Sequence, residues 1–376
     1  MNDFFTSTFD FDKEKKKFID YMDLKKSQDI FEFEFYKKYY EIQDSIKDRW
    51  YVSNLKKKLW NGNDILNFKP LIVSVGDDKE LLKEWRYLIR FTSTFKNVSN
   101  PGRNMKFLVV DEVTGKYIGA LTVSSDFGSL KSRDDYIGWT NEDKYSNRKL
   151  QNTANAQSII PIQPFGYNFL GGKLMSLMIT SKKIRDSWEE AYGDKLVGMT
   201  TTALYGPYSQ YTNLPNLKKM GSTKGQTFIK PPSELVNVWI DYFKETKNER
   251  YMELVEKVNS NPPSKKYHKQ NVLSLIMKTL ELKPKDYEHG FKRGVYFCSF
   301  YENTSEFLKS EISEDKLIMK DKFKQDMDYI VSWWKPKAIN RFNKLKLENR
   351  LKSDIHFWDK LFDLSYEEAL KYMNKK

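Results

Sequence analysis

Apolar residues along this chain recur with two periods, and the alternation between them lays out a series of strands and helices. The run Pro70-Leu71-Ile72-Val73-Ser74-Val75 is continuous and rich in branched side chains, the pattern of a buried strand, and Gly76 closes it. Leu81, Leu82, Trp85, Leu88 and Ile89 then return every three or four residues, which predicts a helix with Asp77 placed to cap it. Met105–Asp111 and Tyr117–Ser125 are β-rich runs joined by Glu112-Val113-Thr114-Gly115-Lys116, a hairpin. Ser158-Ile159-Ile160-Pro161 reads as a short strand, and a turn with Pro164 and Gly166 leads on to Asn168-Phe169-Leu170-Gly171-Gly172-Lys173. From there Leu170, Leu174, Leu177, Ser181, Ile184, Trp188 and Ala191 form one stripe, predicting a single long helix stopped by Gly193. Leu196–Leu204 predicts the next strand, Asn213–Met220 a short helical turn, and Gln226–Lys230 a strand halted by Pro231-Pro232. Gly294–Phe300 reads as a final buried strand.

Strand, glycine turn, helix and strand make a βαβ unit, a topology that places ligands at the carboxyl ends of its strands. The expected fold is therefore α/β: a mixed sheet flanked by helices over residues 63–232, with residues 291–302 supplying the last core strand. The remainder reads as helical, with residues 1–62 an N-terminal extension, 233–290 an insertion and 303–376 a C-terminal region. Within these, Arg133–Trp139 reads as a polar loop, Trp333-Trp334-Lys335-Pro336 as a helix break, and Ser365-Tyr366-Glu367-Glu368 as a capping box.

Composition narrows the partners. Aromatic residues make up 15% of the 376, which argues against a disordered chain. Lysine and arginine exceed aspartate and glutamate by 64 − 51 = 13, a balance that points to a polyanion such as a nucleic acid. A merely solvated basic surface is the alternative. Cys298 is the single cysteine, so no intramolecular disulfide forms and a reducing, cytoplasmic setting is expected. His268, His289 and His356 lie far apart without partners at zinc-ligand spacing, and no metal centre is expected from them. No apolar run approaches the roughly 20 residues that span a bilayer, and the acidic, phenylalanine-rich start does not read as a signal peptide.

Several residues carry candidate chemistry. Tyr205, Tyr208 and Tyr211 follow the strand Leu196–Leu204, where Tyr205 or Tyr211 could donate a proton or attack a phosphate; packing of the loop is the other reading. Asn152, Asn155 and Gln157 approach the preceding strand, where Asn155 and Gln157 suit hydrogen bonding to an acceptor substrate, or cap turns. Gly171 and Gly172 admit close approach of an anion to a helix start or of helix to sheet. Arg133 and Trp139 offer a cation and a stacking ring for a nucleic-acid base, or core. Lys218, Lys224 and Arg341 would add phosphate contacts, the last from the basic stretch Lys335–Lys352. Asp134 and Asp135, with Asp126 or Glu142, could hold a metal for phosphodiester chemistry, although neighbouring strand residues face opposite ways.

The order of elements resembles the acyl-CoA-dependent N-acetyltransferase (GNAT) fold. That resemblance implies a coenzyme A thioester, with its phosphates on Asn168, Gly171, Gly172 and Lys173 at the start of the helix after the fourth strand. Arg133-Asp134…Ile137-Gly138-Trp139, then Asn152…Asn155…Ile160-Pro161, then Asn216…Met220-Gly221-Ser222-Thr223-Lys224-Gly225 look like the core of the DruA family of the Druantia anti-phage system, over roughly residues 70–300. Membership implies a setting of phage–host conflict and DNA, with related domains in phages and beside transposases. The leading expectation is thus a DNA-associated protein that transfers an acyl or aminoacyl group to a nucleobase or amine. A non-catalytic DNA-binding or accessory module is the second, supported by Asn168, Lys173 and Leu217 where the GNAT pattern has other residues. A metal-dependent nuclease using Asp126, Asp134 and Asp135 is the third.

Overall fold

The alternating runs become a seven-stranded mixed sheet in the computed structural model, which describes residues 9–27, 54–62, 64–93, 102–203, 209–223, 226–228, 231–260, 265–290, 293–320 and 325–352. In chain order the larger unit has β1 (Pro70–Ser74), α1 (Lys79–Thr92), β2 (Asn104–Asp111), β3 (Lys116–Ser125), α2 (Lys131–Ile137) and β4 (Thr153–Pro161). After these come α3 (Gly171–Met178), α4 (Lys182–Tyr192), β5 (Gly198–Ala203), β6 (Lys218–Ser222), β7 (Gly294–Ser299) and α5 (Met327–Leu347). The sheet order is β1-β2-β3-β4-β5-β7-β6. All neighbours are antiparallel except β4 and β5, which are parallel and pair only over Thr153–Asn155 and Gly198–Thr200. Beyond those three residues β4 runs on without β5 beside it, so the two strands splay. Buried apolar side chains of β2, β3 and β5, among them Phe107, Leu108, Leu121, Val123 and Met199, join those of α1, α3 and α4 in one core. The fold expected from the pattern, an α/β mixed sheet flanked by helices, is the one observed.

Several element boundaries differ from the pattern, each for a local reason. The stripe from Leu170 to Ala191 is two helices, α3 and α4. Thr180 donates its hydroxyl to the Leu177 carbonyl, Ser181 is extended, and Lys182 N donates to Gln325 O, so one local and one long-range hydrogen bond replace a helical turn. Arg133–Trp139 is not a loop: residues 131–137 form α2, whose end is Gly138 in the left-handed region at φ 77°. The helix at Lys79 is capped by Asp78, which accepts from the amides of Glu80 and Leu81, rather than by Asp77. The sixth core strand is Lys218–Ser222, whose lysines are exposed at the sheet edge and gave no apolar signal. Gln226–Phe228 pairs instead with Glu288–Gly290 in a separate two-stranded ribbon. Pro336 sits inside α5 without ending it, and the capping box at Ser365 lies outside the described residues.

The described parts of residues 1–32 and 225–291 form a second unit. Its helices, Phe11–Ser27, Ser233–Glu245, Glu249–Ser260 and Lys265–Thr279, enclose Phe18, Met22, Trp239, Phe243, Tyr251 and Ile276. Phe9 stacks on Tyr242 with ring centres 4.3 Å apart. The N-terminal helix and the inserted helices thus share a core.

Candidate functional site

Where β4 and β5 part, backbone carbonyls on β4 lose their ladder partners, and the chain's own side chains take them. Thr201 Oγ1 donates to Ala156 O at 3.0 Å, and Gln210 Nε2 donates to Ile159 O at 3.1 Å. Tyr211 is buried beside Tyr296, ring centres 5.3 Å apart, and burial pushes its phenol up against hydrogen bonds with Gln210 and Thr201. Tyr205 and Tyr208 lie outside the described residues.

The helix start beside the splay is equally occupied. Leu170 adopts φ 54°, and α3 begins directly after it with Gly171 and Gly172. A Cβ on Gly171 would lie 2.4 Å from the Phe165 ring, and one on Gly172 would lie 2.4 Å from Gln210 Oε1. Glycine at both positions therefore serves close packing. Lys173 Nζ donates to the Thr212 carbonyl, and burial pulls its ammonium down. Asn168 is buried and holds the chain after α5 by both amide atoms: Nδ2 donates to Lys352 O at 2.8 Å and Oδ1 accepts from Lys352 N at 3.0 Å. Trp334 Nε1 donates to Phe169 O at 3.0 Å and lies 3.2 Å from Leu170 O. The four residues expected to hold a cofactor's phosphates thus contact protein groups, chiefly Gln210, Thr212 and the end of α5.

The expected catalytic set divides between two faces of the sheet. Asn155 is in register with Thr200, whereas Tyr211 bonds Thr201, and successive strand residues point to opposite faces. Asn155 Nδ2 reaches Ser124 Oγ at 3.5 Å. Gln157 is the extra residue of a bulge against β3, between Ala156 opposite Val123 and Ser158 opposite Thr122.

On the Thr200 face lies a buried charge network. Arg133 is fully buried; its Nε and Nη2 donate to Asp134 Oδ1 at 2.9 and 2.6 Å, and Nη2 donates to Phe127 O at 2.9 Å. Its Nη1 lies 2.9 Å from Asp126 Oδ2, an ion contact off the hydrogen-bond axis. Asp126 Oδ2 also accepts from Thr200 Oγ1 at 2.9 Å. Asp134 accepts from Trp139 Nε1 and from Lys144 Nζ, each at 3.0 Å. Burial alone would raise the Asp134 carboxyl, but the Arg133 charge and the hydrogen bonds from Trp139, Lys144 and Arg133 outweigh it and hold the group below the usual carboxylate range.

This arrangement corrects the expectation that Arg133 and Trp139 face a nucleic acid. They do stack, the guanidinium 5.1 Å from the ring centre, but both are buried, Arg133 as the cation between two carboxylates and Trp139 as part of the hydrophobic core. Arg133 holds Asp126 and Asp134 as a metal cation would, while Asp135 points outward and pairs with Lys131 at 3.2 Å. Among the described residues no three histidine, cysteine or acidic side chains are grouped to hold a metal ion.

The other expected phosphate contacts separate. Lys218 is exposed and lies over Tyr136, 4.7 Å from the ring centre; Lys224 lies outside the described residues. Arg341 donates Nε to Tyr167 O at 2.7 Å and stands 4.9 Å from that ring's centre. Arg350, hydrogen-bonded to the Tyr167 side chain, and Lys352, 5.9 Å from the ring, complete a basic cluster around it. Neither Tyr167 nor Gln210 stood out in the sequence, since an isolated tyrosine or glutamine in a turn has no spacing signal. Among the described residues no helix is long and apolar enough to cross a membrane.

The family model described as "Druantia protein DruA" matches residues 23–310. A relative of that name from Escherichia coli (strain UMEA 4076-1) is 24% identical over 294 residues, which cover 72% of this chain and 67% of the relative. No solved structure matches. With most of its length matched, and the buried Arg133 network and the splayed β4 lying inside the matched span, the chain belongs to the DruA family, named for a protein of the Druantia anti-phage system.

Proposed function

We infer that this protein binds DNA through the basic end of α5 and the residues that follow it. The observation behind this reading is the distribution of charge. Between Lys335 and Lys352 there are seven basic residues and one acidic residue, 7 − 1 = +6, so 18 residues hold nearly half of the chain's +13. Lys337, Lys344, Lys346 and Arg350 are exposed there, and Glu348 is the one carboxylate, shared by Arg350 at 2.7 Å and Lys344 at 3.9 Å. A solvated helical face would be expected to intersperse both signs; a single-sign stretch favours a polyanion. A setting of phage–host conflict supplies DNA as that polyanion. Binding of duplex DNA is expected to weaken steeply with salt. Changing Lys337, Lys344 and Lys346 together to glutamine should flatten the slope of log K against log salt by about 0.9 per lost contact and weaken binding on the order of 100-fold near 0.15 M salt. An unaltered slope in an electrophoretic or fluorescence titration would reject the reading.

A second reading is acyl or aminoacyl transfer to a nucleobase or amine from a coenzyme A thioester. It is favoured by the strand order, with its one parallel pair, and by the helix that starts at Gly171 beside the splay. Here the donor's phosphates would need the Gln210–Thr212 segment to leave Gly172 and Lys173. Under this reading Gln210→Ala, which removes the amide over Gly172, increases the thermal stabilisation produced by acetyl-coenzyme A. No stabilisation in either the wild type or the variant discards acyl transfer and leaves DNA binding standing.

A further inference from the structure

We propose that the C-terminal half of α5 lies in the major groove of duplex DNA and reads base edges with Asn340 and Asn343. This rests on DNA binding by α5 and adds the groove, the strandedness and the residues that give sequence preference. Side chains turn by about 100° per residue around a helix. On that wheel Trp334, Ala338 and Leu345 mark the buried side of α5. The opposite crest is Pro336, Asn340, Asn343 and Leu347, all exposed, Leu347 to 85%. This crest carries no charge. Lys337 and Lys344 stand to one side of it by about 80°, and Lys346 to the other by about 90°; all three are exposed.

A helix that merely faces water gains from placing its charges on the crest. Here the crest is neutral and the cations flank it. That is the distribution a groove demands, with phosphates on both walls and uncharged base edges on the floor. The dimensions agree, because a helix with its side chains is about 10–12 Å across and the major groove about 12 Å wide. Pro336 to Leu347 spans about 16 Å at 1.5 Å per residue, roughly five base pairs. Asparagine offers one acceptor and two donors in a plane, matching N6 and N7 of adenine, and Asn340 and Asn343 lie one turn apart to meet neighbouring bases. Leu347 provides an aliphatic contact suited to a thymine methyl group. Single-stranded binding calls for aromatic stacking platforms, and the crest has none.

The test is selection from a randomised duplex pool with the full chain, followed by titration of the enriched site and of random duplex. An enriched, adenine-containing site of roughly five base pairs is expected. Asn340→Ala and Asn343→Ala should each lower discrimination between site and random duplex by about 10-fold, while affinity for random duplex stays at the wild-type value. N6-methyladenine in the site should mimic those losses. Lys344→Ala should weaken both duplexes alike and reduce the salt slope by about 1. Binding to random duplex with no enriched site, or discrimination unchanged in both asparagine variants, overturns the groove assignment and leaves phosphate binding intact. Failure to bind any duplex overturns both. Circular dichroism of the variants, expected to match the wild type, separates these outcomes from unfolding.

Discussion

Replacing Arg133 with alanine is expected to destabilise the larger unit by about 3–5 kcal/mol, because it leaves the buried Asp126 carboxylate without its cation and Asp134 with Lys144 alone. Asp126 and Asp134 both contact the guanidinium, and the Asp126 side chain is fully buried. Lysine is not an adequate substitute, since a single ammonium cannot reach Asp134, Asp126 and Phe127 O in the geometry of the planar fork. The pH dependence has a defined sign. The folded-state carboxyl of Asp134 is held below its ordinary value, so its contribution is present above the unfolded value of about 3.9 and is lost as pH falls through the folded one. Wild-type stability should therefore fall in acid. In Arg133→Ala the Asp134 carboxyl loses the charge that lowers it most, so it rises from its wild-type position, and the stability difference from wild type should narrow as pH drops from 7 toward 4. Combining Arg133→Met with Asp126→Asn should restore more than half of the loss, since it removes the Asp126 charge along with its partner and leaves Asp134 paired with Lys144. Denaturant melts across pH measure these effects, and equal destabilisation in the single and double variants would show that shape, not charge, is what the network supplies.

Trp334→Ala should cost a comparable amount, about 3–5 kcal/mol, and lower the melting temperature by roughly 10 °C. Its ring is fully buried, with Phe68 at 5.4 Å and Phe165 at 5.8 Å between ring centres. The indole N–H is also the donor to the Phe169 and Leu170 carbonyls, the groups that shape the turn into α3. The loss thus has two parts, a cavity and an orphaned hydrogen-bond site. Trp334→Phe keeps most of the ring and should recover most of the loss, leaving about 1–3 kcal/mol for the unmade bond. Scanning calorimetry distinguishes them; equal melting temperatures for the two variants would assign the whole effect to the N–H. Since Trp334 also fixes α5, the alanine variant should bind DNA more weakly as well, whereas Arg133→Ala under folding conditions should not.

Asn168 illustrates where reading a chain in order stops. Its position before Gly171-Gly172 is legible, and so is the turn, because glycine and amide residues at the end of an apolar strand have a local cause. Its partner is Lys352, 184 residues away, and no spacing rule joins two points so distant. The same holds for Gln210, whose amide bridges Ile159 O across the splay from 51 residues off. Arg133 shows the opposite error: arginine near tryptophan has the composition of a nucleic-acid surface, yet the guanidinium is buried against Asp126, itself held by Thr200 from another strand. Thr180-Ser181 hides a helix break inside a regular stripe, because the periodicity counts apolar positions and is blind to the Thr180 hydroxyl that takes the Leu177 carbonyl and to the extended backbone of Ser181.

By itself the sequence determined the α/β class, the order of strands through β5, the last core strand and the basic stretch after Trp334. These follow from periodicity, turn residues and charge, which are local or additive properties of the chain. The tertiary structure alone decided which strand became the sixth, that the glycine turn is packed by the chain's own side chains, and that Arg133 neutralises two acids inside the core. It also decided which residues of α5 form a neutral crest between lysines. The sixth strand and the packed turn depend on groups distant in sequence meeting, the Arg133 network and the crest on which side of a helix is covered, and burial is a property of the assembled fold, not of any segment.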